Sequence, residues 1–380
     1  MPVLTDVVRR LPDTDKDIKI CAVIALGQLG EDHPSAAEAR RFLVELLGDR
    51  RLDPLVASYA PTSLGKLGGE EVLAPVHAAF RDRDADRLVR QSAALALGQL
   101  AGMEHEAVVA DLIDYLAEGK DRQTRHFAII ALGQIGARDT APETRAEAHD
   151  ALRHRLGREL LGKGKSREHR SWAALAAALY ARGQTVHELE ITEKVRAAYD
   201  GEGDPAYKGA FAVALGLLGD RDSAPRLLED FGDTGDEGFR GYAAVALGLL
   251  RAQSAGDALR GVCRSPTTPP TLRLQVSTGL GLMSDTGAVD LLVGTLSSAR
   301  TLGVSSAAAK ALGLIGDRDS IRPLVDVAAD GDRQGLTRAF ACVALGLVGE
   351  RTSLPWNAAL SANNNYRAKT PSVSEVLDIL

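Results

Sequence analysis

The chain has 380 residues, a formal net charge of −6 at pH 7 and an aromatic content of only 4%. This acidic balance argues against a nucleic-acid partner, because contact with phosphates normally needs a basic surface. The three cysteines, Cys21, Cys263 and Cys342, lie far apart in sequence and show no CxxC spacing, which argues against a disulfide framework and a zinc site.

One short pattern, Ala-Leu-Gly-x-Leu-Gly, recurs along nearly the whole chain, with intervals of 32 to 45 residues between copies. A period of this length indicates stacked helix pairs, each of which buries its apolar face only against its neighbours. The sequence therefore predicts an all-α fold, an α-solenoid (superhelix) of about ten helix-pair repeats over residues 1–352. The first pattern glycine, or its replacement, is Gly27, Gly65, Gly98, Gly133, Ala178, Gly216, Gly248, Gly281, Gly313 and Gly346.

Each copy of the pattern predicts one helix, the pattern helix. Twelve residues before the glycine, most copies carry a side chain that favours the N-cap position. A glycine inside a helix costs roughly 1 kcal/mol relative to alanine, so its recurrence predicts a close approach of neighbouring helices. The predicted N-caps are Asp15, Asp53, Asp86, Asp121, Ser166, Asp204, Asp236 and Thr301.

A basic residue stands eight positions before the glycine in eight copies. It follows the N-cap by four residues and so shares a helix face with it. We interpret this basic row as an Asp-to-Arg ladder that joins neighbouring repeats; a cationic ridge for acidic partners is the alternative. The basic row comprises Lys19, Arg90, Arg125, Arg170, Lys208, Arg240, Arg273 and Arg338.

After the pattern helix, the chain turns through sequences such as GDRDS at 219–223 and 316–320. These turns lead into a second helix, the partner helix, predicted at 224–231 and 321–328. The residue just after the pattern glycine is Gln or Lys in the first four copies and Leu in the last six. The Leu row predicts either burial by tight stacking, which we favour, or the floor of an apolar groove for a partner.

The fifth copy departs most from the pattern, with an insert at about residues 137–170. Its segment 153–170 carries seven Lys or Arg against two Glu in an otherwise acidic protein. This basic segment is either a solvated helix with a loop or a binding site for an anionic partner. The candidate partner-binding residues are Arg153, Arg155, Arg158, Lys163, Lys165, Arg167, Arg170 and the neighbouring Trp172.

Residues 353–380 leave the repeat pattern. The stretch SLPWNAAL at 353–360 reads as a last partner helix, a polar loop follows, and SEVLDIL at 374–380 is short and apolar. Because the terminal repeat of a solenoid needs a cover over its open core, we expect this segment to be a C-terminal cap.

The Ala-Leu-Gly-x-Leu-Gly-Asp helix end and the Pro-Leu-containing partner helix resemble the short HEAT-like repeats of the phycobilin (PBS) lyase type, over roughly residues 15 to 360. The resemblance implies the solenoid fold. It does not fix a function, because similar repeats occur in scaffolds, lyases, hydroxylases and DNA-repair proteins. A bilin lyase or isomerase, or a chaperone of this family, is therefore the alternative function.

Other enzymes built from HEAT-like repeats require residues that are scarce in this chain. The di-iron hydroxylases need four His-Glu pairs, whereas only His105-Glu106 and His187-Glu188 are present. A DNA glycosylase would need a basic concave face. The sequence therefore predicts no catalytic, metal or cofactor-binding residue and no cofactor.

The scarcity of catalytic constellations favours a non-catalytic protein-protein interaction scaffold or adaptor, with a protein or peptide partner. No apolar run approaches the roughly 18 residues that a membrane span requires, and the N-terminal residues lack a signal-peptide core. We therefore expect no membrane association and a cytoplasmic location, with export behind a removed signal as the alternative.

Overall fold

The computed structural model describes residues 2–139, 142–162, 164–182, 188–299 and 301–349. Within these ranges the chain forms α-helices and short 3₁₀ turns, and no strand. The helices are α1 (Pro2–Arg10), α2 (Lys16–Gly27), α3 (Ala36–Gly48), α4 (Pro54–Leu67), α5 (Leu73–Arg81), α6 (Arg87–Leu100), α7 (Glu106–Glu118), α8 (Arg122–Ala137), α9 (Ala146–Leu161), α10 (Arg167–Arg182), α11 (Glu188–Asp200), α12 (Pro205–Leu218), α13 (Ala224–Asp233), α14 (Glu237–Leu249), α15 (Gly256–Arg264), α16 (Pro270–Met283), α17 (Val289–Ser298), α18 (Leu302–Ile315), α19 (Ile321–Ala329) and α20 (Gly335–Gly349).

Every even-numbered helix carries one copy of the glycine pattern, which confirms the predicted all-α solenoid of ten helix pairs. The odd-numbered helices are the partner helices, and, α9 aside, they pack on the pattern helix that follows, as α3 packs on α4 and α19 on α20. A pair therefore begins with its partner helix, and tight 3₁₀ turns such as Arg221–Ser223 lead from one pair into the next. The sequence interpretation grouped the helices in the other order and missed α1, the partner of the first pattern helix.

The described residues pack as two units. The first unit holds the residues up to Gly162 and the end of α10 from Leu179, and the second holds α10 up to Ala178 and the helices from α11 onward. In the first unit α2, α4, α6 and α8 stack in chain order. In the second unit α12, α14, α16, α18 and α20 do the same. The predicted C-terminal cap at 353–380 lies outside the described residues.

The predicted N-caps explain where the pattern helices begin. The Asp86 carboxylate accepts a hydrogen bond from the Leu88 amide at 2.8 Å, and Asp121 accepts one from Thr124 at 2.7 Å. Such bonds satisfy amide groups that have no partner inside the helix. Asp15 is the exception, since it ends a 3₁₀ turn and its side chain makes no cap bond.

The pattern glycines lie where neighbouring pattern helices approach most closely. A Cβ on Gly98 would stand 2.7 Å from the Cα of Ala131, which lies two residues before the next pattern glycine. A Cβ on Gly281 would meet the Cα of Ala311 at the same distance. The predicted close approach is therefore confirmed.

At Gly65, Gly98, Gly216 and Gly313, the pattern glycine is covered by the residue that follows the next pattern glycine. The side chain of Gln134 covers Gly98, and that of Leu347 covers Gly313. Leu179 and Leu217 are buried, whereas Leu249, Leu282 and Leu314 are half-buried and Leu347 is exposed. Burial by stacking, the favoured explanation of the Leu row, is thus confirmed for Leu179 and Leu217 and does not hold for Leu347.

The basic row does not form the predicted ladder with the N-caps. Arg90 donates to the Asp82 carbonyl at 2.6 Å, Arg273 to the Ser265 carbonyl at 2.8 Å, and Arg338 to the Ala328 carbonyl at 2.9 Å. These carbonyls lie at the C-terminal end of the preceding partner helix, where intrahelical donors run out. For these three arginines the prediction was wrong because the long side chains reach back to the preceding partner helix. Lys208 instead pairs with Asp230 on α13, with Nζ 2.8 Å from Oδ2.

A ladder between pairs does exist, and it uses different residues. Arg196 on α11 pairs with Asp220 in the turn before α13, with Nε 2.6 Å from Oδ2. Arg260 on α15 pairs in the same way with Asp285 in the turn before α17. Each bridge joins a partner helix to the turn that leads into the next one.

Candidate functional site

The predicted insert of the fifth copy is largely the helix α9, which at 16 residues is longer than the 9 or 10 residues of α5, α13 or α19. A 3₁₀ turn at Pro142–Arg145 precedes it. Its inner face is made of His149, Leu152, Leu156 and Leu160, all of which are buried. The insert is therefore an extended partner helix with the loop that follows it.

Several charges of the predicted basic segment are paired within the fold. Arg153 lies 3.1 Å from Asp150, and Arg155 lies 2.9 Å from Glu159. Arg158 is exposed and has no ion-pair partner in the part of the chain that the structure describes. The segment thus offers less free positive charge than its composition predicts.

The remaining predicted site residues are dispersed. Arg167 is exposed and lies 3.5 Å from Asp204, while Lys165 and Arg170 are half-buried. Lys163 lies outside the described residues. Trp172 is fully buried, so its ring cannot offer a surface contact, and the sequence interpretation was wrong on this point.

A buried polar network lies beneath the start of α9. The two ring nitrogens of His149 lie 2.9 Å from the Asp139 carboxylate and 3.2 Å from the Tyr180 hydroxyl. Arg145 donates to the same carboxylate at 3.0 Å. Burial raises the pKa of Tyr180 to about 12, so its hydroxyl is protonated at neutral pH. The network anchors α9, and its His149, Asp139 and Tyr180 side chains are buried.

A second candidate site is a cavity of about 420 Å³ in the second unit. Gly235 in the loop before α14 and Glu237 and Arg240 on that helix form one part of its wall. Gly261 on α15 and Thr267 in the following loop form another. A Cβ on Gly235 or Gly261 would meet no atom within 4 Å. The missing side chains therefore contribute to the open space.

Arg240 is the residue that gives this cavity its chemistry. Its guanidinium carbon lies 4.9 Å from the centre of the Phe231 ring, a cation–π contact, and its Nε is buried. Among the described residues it has no hydrogen-bond acceptor and no ion pair, although Arg273 and Arg338 of the same row each cap a helix. A guanidinium with free donors binds carboxylate or phosphate groups.

A smaller cavity of about 170 Å³ lies near Arg196 and Tyr199. Its polar groups are already satisfied, because Arg196 pairs with Asp220 and the Tyr199 hydroxyl donates to Asp230 at 2.6 Å. Burial raises the pKa of Tyr199, and the bond to Asp230 raises it further. The contacts around this cavity therefore join one helix pair to the next.

Sequence reasoning raised the question of metal ligands and membrane spans. In the described ranges, no three His, Cys, Asp or Glu side chains are grouped so that they could hold a metal ion. His105 accepts a hydrogen bond from the Gly102 amide at 3.0 Å, and His187 lies outside the described residues. No helix in these ranges is long and apolar enough to cross a membrane.

Comparison with known proteins agrees with the helix-pair architecture. A family model described as HEAT repeats matches residues 1–98 and 266–341. None of the curated proteins compared with the chain matches it.

Among solved structures, YibA of Escherichia coli is 19% identical, with 75% of this chain and 95% of that chain covered and a TM-score of 0.44. Human deoxyhypusine hydroxylase is 20% identical, with coverages of 74% and 96% and a TM-score of 0.32. An engineered protein is 18% identical, with coverages of 91% and 99% and a TM-score of 0.34. The family model thus shows HEAT repeats over residues 1–98 and 266–341, and alternating partner and pattern helices continue through the described residues between these ranges.

Proposed function

We propose that this chain is a non-catalytic scaffold that binds an acidic segment of a partner protein. The observation that carries the proposal is Arg240, a cation in a cavity wall with no acceptor among the described residues. Leaving a half-buried guanidinium without a partner is unfavourable, and a carboxylate from outside removes that cost. An Asp or Glu side chain of a partner protein is the simplest source of such a carboxylate.

The cavity suits the side chain of a peptide better than an enclosed small molecule. It is open to solvent, and its wall combines Arg240 with the carboxylate of Glu237 and the hydroxyl of Thr267. A peptide can present an acidic side chain to Arg240 and its own amide groups to the acceptors nearby. Repeat solenoids provide many such weak contacts along one surface.

The basic segment is proposed as a second contact surface. Arg158 offers an exposed charge without an ion pair among the described residues, and we propose that Lys163, Lys165, Arg167 and Arg170 each add a contact to the partner. Arg153 and Arg155 would contribute by holding the helix surface through their internal ion pairs. Electrostatic attraction of this kind speeds association and weakens with salt.

Binding to Arg240 is tested with fluorescent peptides of about twelve residues, in an acidic pool and in a pool with Gln and Asn at the acidic positions. We expect fluorescence polarisation to rise with the acidic pool alone. In Arg240→Gln, the affinity for the acidic pool should fall about tenfold, which corresponds to about 1.4 kcal/mol. Arg322→Gln, which removes an exposed arginine on α19, is the control for net charge. Equal affinities of the two variants, or no binding of acidic peptides, would contradict the proposal.

Two further measurements test the basic segment and the non-catalytic role separately. Arg158→Glu is compared with Arg83→Glu, a matched change at another exposed arginine of the first unit. An affinity for the acidic pool that falls in Arg158→Glu but not in Arg83→Glu would support the basic segment as a second contact surface. Equal affinities of the two variants would contradict it. Mass spectrometry of the recovered peptides tests the non-catalytic part, since peptides changed in mass would contradict it.

A further inference from the structure

The last pattern helix, α20, exposes the face that the preceding pattern helices bury. A Cβ on Gly346 would meet no atom within 4 Å, whereas one on Gly281 would lie 2.7 Å from the Cα of Ala311. Cys342, one turn before Gly346, is exposed, although Ala309 at the same position of α18 is fully buried. The face that normally receives the next pattern helix is thus open in the described part of the chain.

This open face is apolar. Five of the eight large apolar side chains that are exposed in the described residues belong to α19 and α20. Val343 is 49% exposed and Leu347 is 38% exposed, and they lie one turn apart on α20. Each fully buried side chain of this size is worth about 1.5–3 kcal/mol. A cover over this face therefore has a large driving force. The five residues are Ile321, Val325, Leu336, Val343 and Leu347.

The chain itself continues directly from this face. Residues 351–380 comprise 30 residues, close to the 33 that separate Gly313 from Gly346, and so could supply one more helix pair. Ser353 and Pro355 have the spacing of Ser223 and Pro225 at the start of α13. The segment 374–380 then offers four apolar side chains in seven residues.

We propose that residues 353–380 dock on the open face of the last pair, with 353–360 beside α19 and 374–380 over Cys342, Val343, Gly346 and Leu347. This intramolecular cover takes the place of an eleventh pair, because its apolar residues lie within one repeat length of α20 and need no second molecule. The proposal is independent of peptide binding at Arg240.

The natural thiol of Cys342 provides the test. In a full-length chain with Cys21→Ser, Leu377→Cys places a second thiol in the docking segment, and Ala368→Cys places one in the polar loop as the control. We expect mild oxidation with copper phenanthroline to form an intramolecular disulfide at least tenfold faster with Leu377→Cys. Equal rates for the two variants would overturn the proposal.

Two measurements on the full chain identify other occupants of the face. A 342–377 disulfide between two chains, together with a dimer mass by light scattering, would assign the face to a second copy and overturn the intramolecular cover. The fluorescence difference between the natural chain and Trp356→Phe isolates Trp356, because the other tryptophan, Trp172, is fully buried. We expect emission to the blue of N-acetyltryptophanamide; emission equal to it would contradict docking of 353–360.

Discussion

The Cα of Ala131 lies 2.7 Å from the position that a Cβ on Gly98 would occupy. The two residues belong to consecutive pattern helices, α6 and α8, so this approach sets the spacing of the stack. Equivalent contacts recur at Gly27, with the Cα of Ser63, and at Gly281, with the Cα of Ala311. The backbone of one pattern helix thus packs directly against that of the next, beside the Gln134 side chain that covers Gly98.

We expect Gly98→Ala to lower the free energy of unfolding by about 1–3 kcal/mol, because the added methyl forces the two helices apart. This loss outweighs the gain of roughly 1 kcal/mol in helix propensity. Gly294→Ala is the control, since a Cβ there meets no atom within 4 Å, and it should raise the thermal midpoint. A midpoint for Gly98→Ala at or above that of the natural chain would contradict the close approach.

Replacing Asp220 removes a bridge between pairs. Burial alone would raise the pKa of Asp220, but hydrogen bonds from Arg196 and Ser223 and the charge of Arg196 lower it below its ordinary value. A carboxyl with a depressed pKa stabilises the fold at pH values above the unfolded pKa of about 4, and this contribution disappears as pH falls through the folded value. Asp220→Asn should therefore be less stable at pH 7 and equal to the natural chain in strong acid. Asp233→Asn, at an exposed position, should show no such difference.

Lys310 is expected to destabilise the fold near neutral pH. Burial lowers its pKa to about 8, and its ammonium has no hydrogen-bond partner within the described residues. Lys310→Met should raise the free energy of unfolding by about 1–2 kcal/mol at pH 7. Between about pH 8 and 10.5, Lys310 binds more protons in the unfolded chain than in the folded chain, so the natural chain gains stability as pH rises. The stability difference between Lys310→Met and the natural chain therefore narrows over this range. Lys66→Met, at an exposed lysine, should show no pH-dependent difference in denaturant unfolding.

The network below α9 should be sensitive to His149. His149→Phe leaves the Asp139 carboxylate and the Tyr180 hydroxyl without the imidazole between them, and we expect a loss of about 2–3 kcal/mol. His154→Phe alters an exposed residue of the same helix and should change stability little. Similar thermal midpoints for both variants would mean that the network does not anchor α9.

Local signals predicted the fold well. The N-caps at Asp86 and Asp121 depend on residues within one helical turn, and the pattern glycines report a close contact that recurs at Gly27, Gly98 and Gly281. The hydrogen-bond acceptors of the basic row were not predicted, because their position depends on where the preceding partner helix ends in space. Arg90 and its N-cap Asp86 share a face, yet Arg90 reaches the Asp82 carbonyl instead.

The candidate site could be predicted only in part. Composition identified the basic segment, but pairing of Arg153 and Arg155 and the burial of Trp172 depend on tertiary packing. Arg240 was one of eight equivalent positions in the sequence. Its only local distinction is the small residues around it, Gly235 and Gly261, and they belong to different helix pairs. No short pattern joins them.

From Arg221 onward, the 3₁₀ turns divide the chain into interchangeable segments. A segment that begins at one turn and ends before the next contains a complete partner helix and the pattern helix on which it packs, as 221–249 does. Its two ends present the same complementary surfaces, a glycine on one side and a small residue on the other. Duplication or deletion of one such segment in the gene would lengthen or shorten the protein without creating a new interface, so evolution can vary its length in whole repeats.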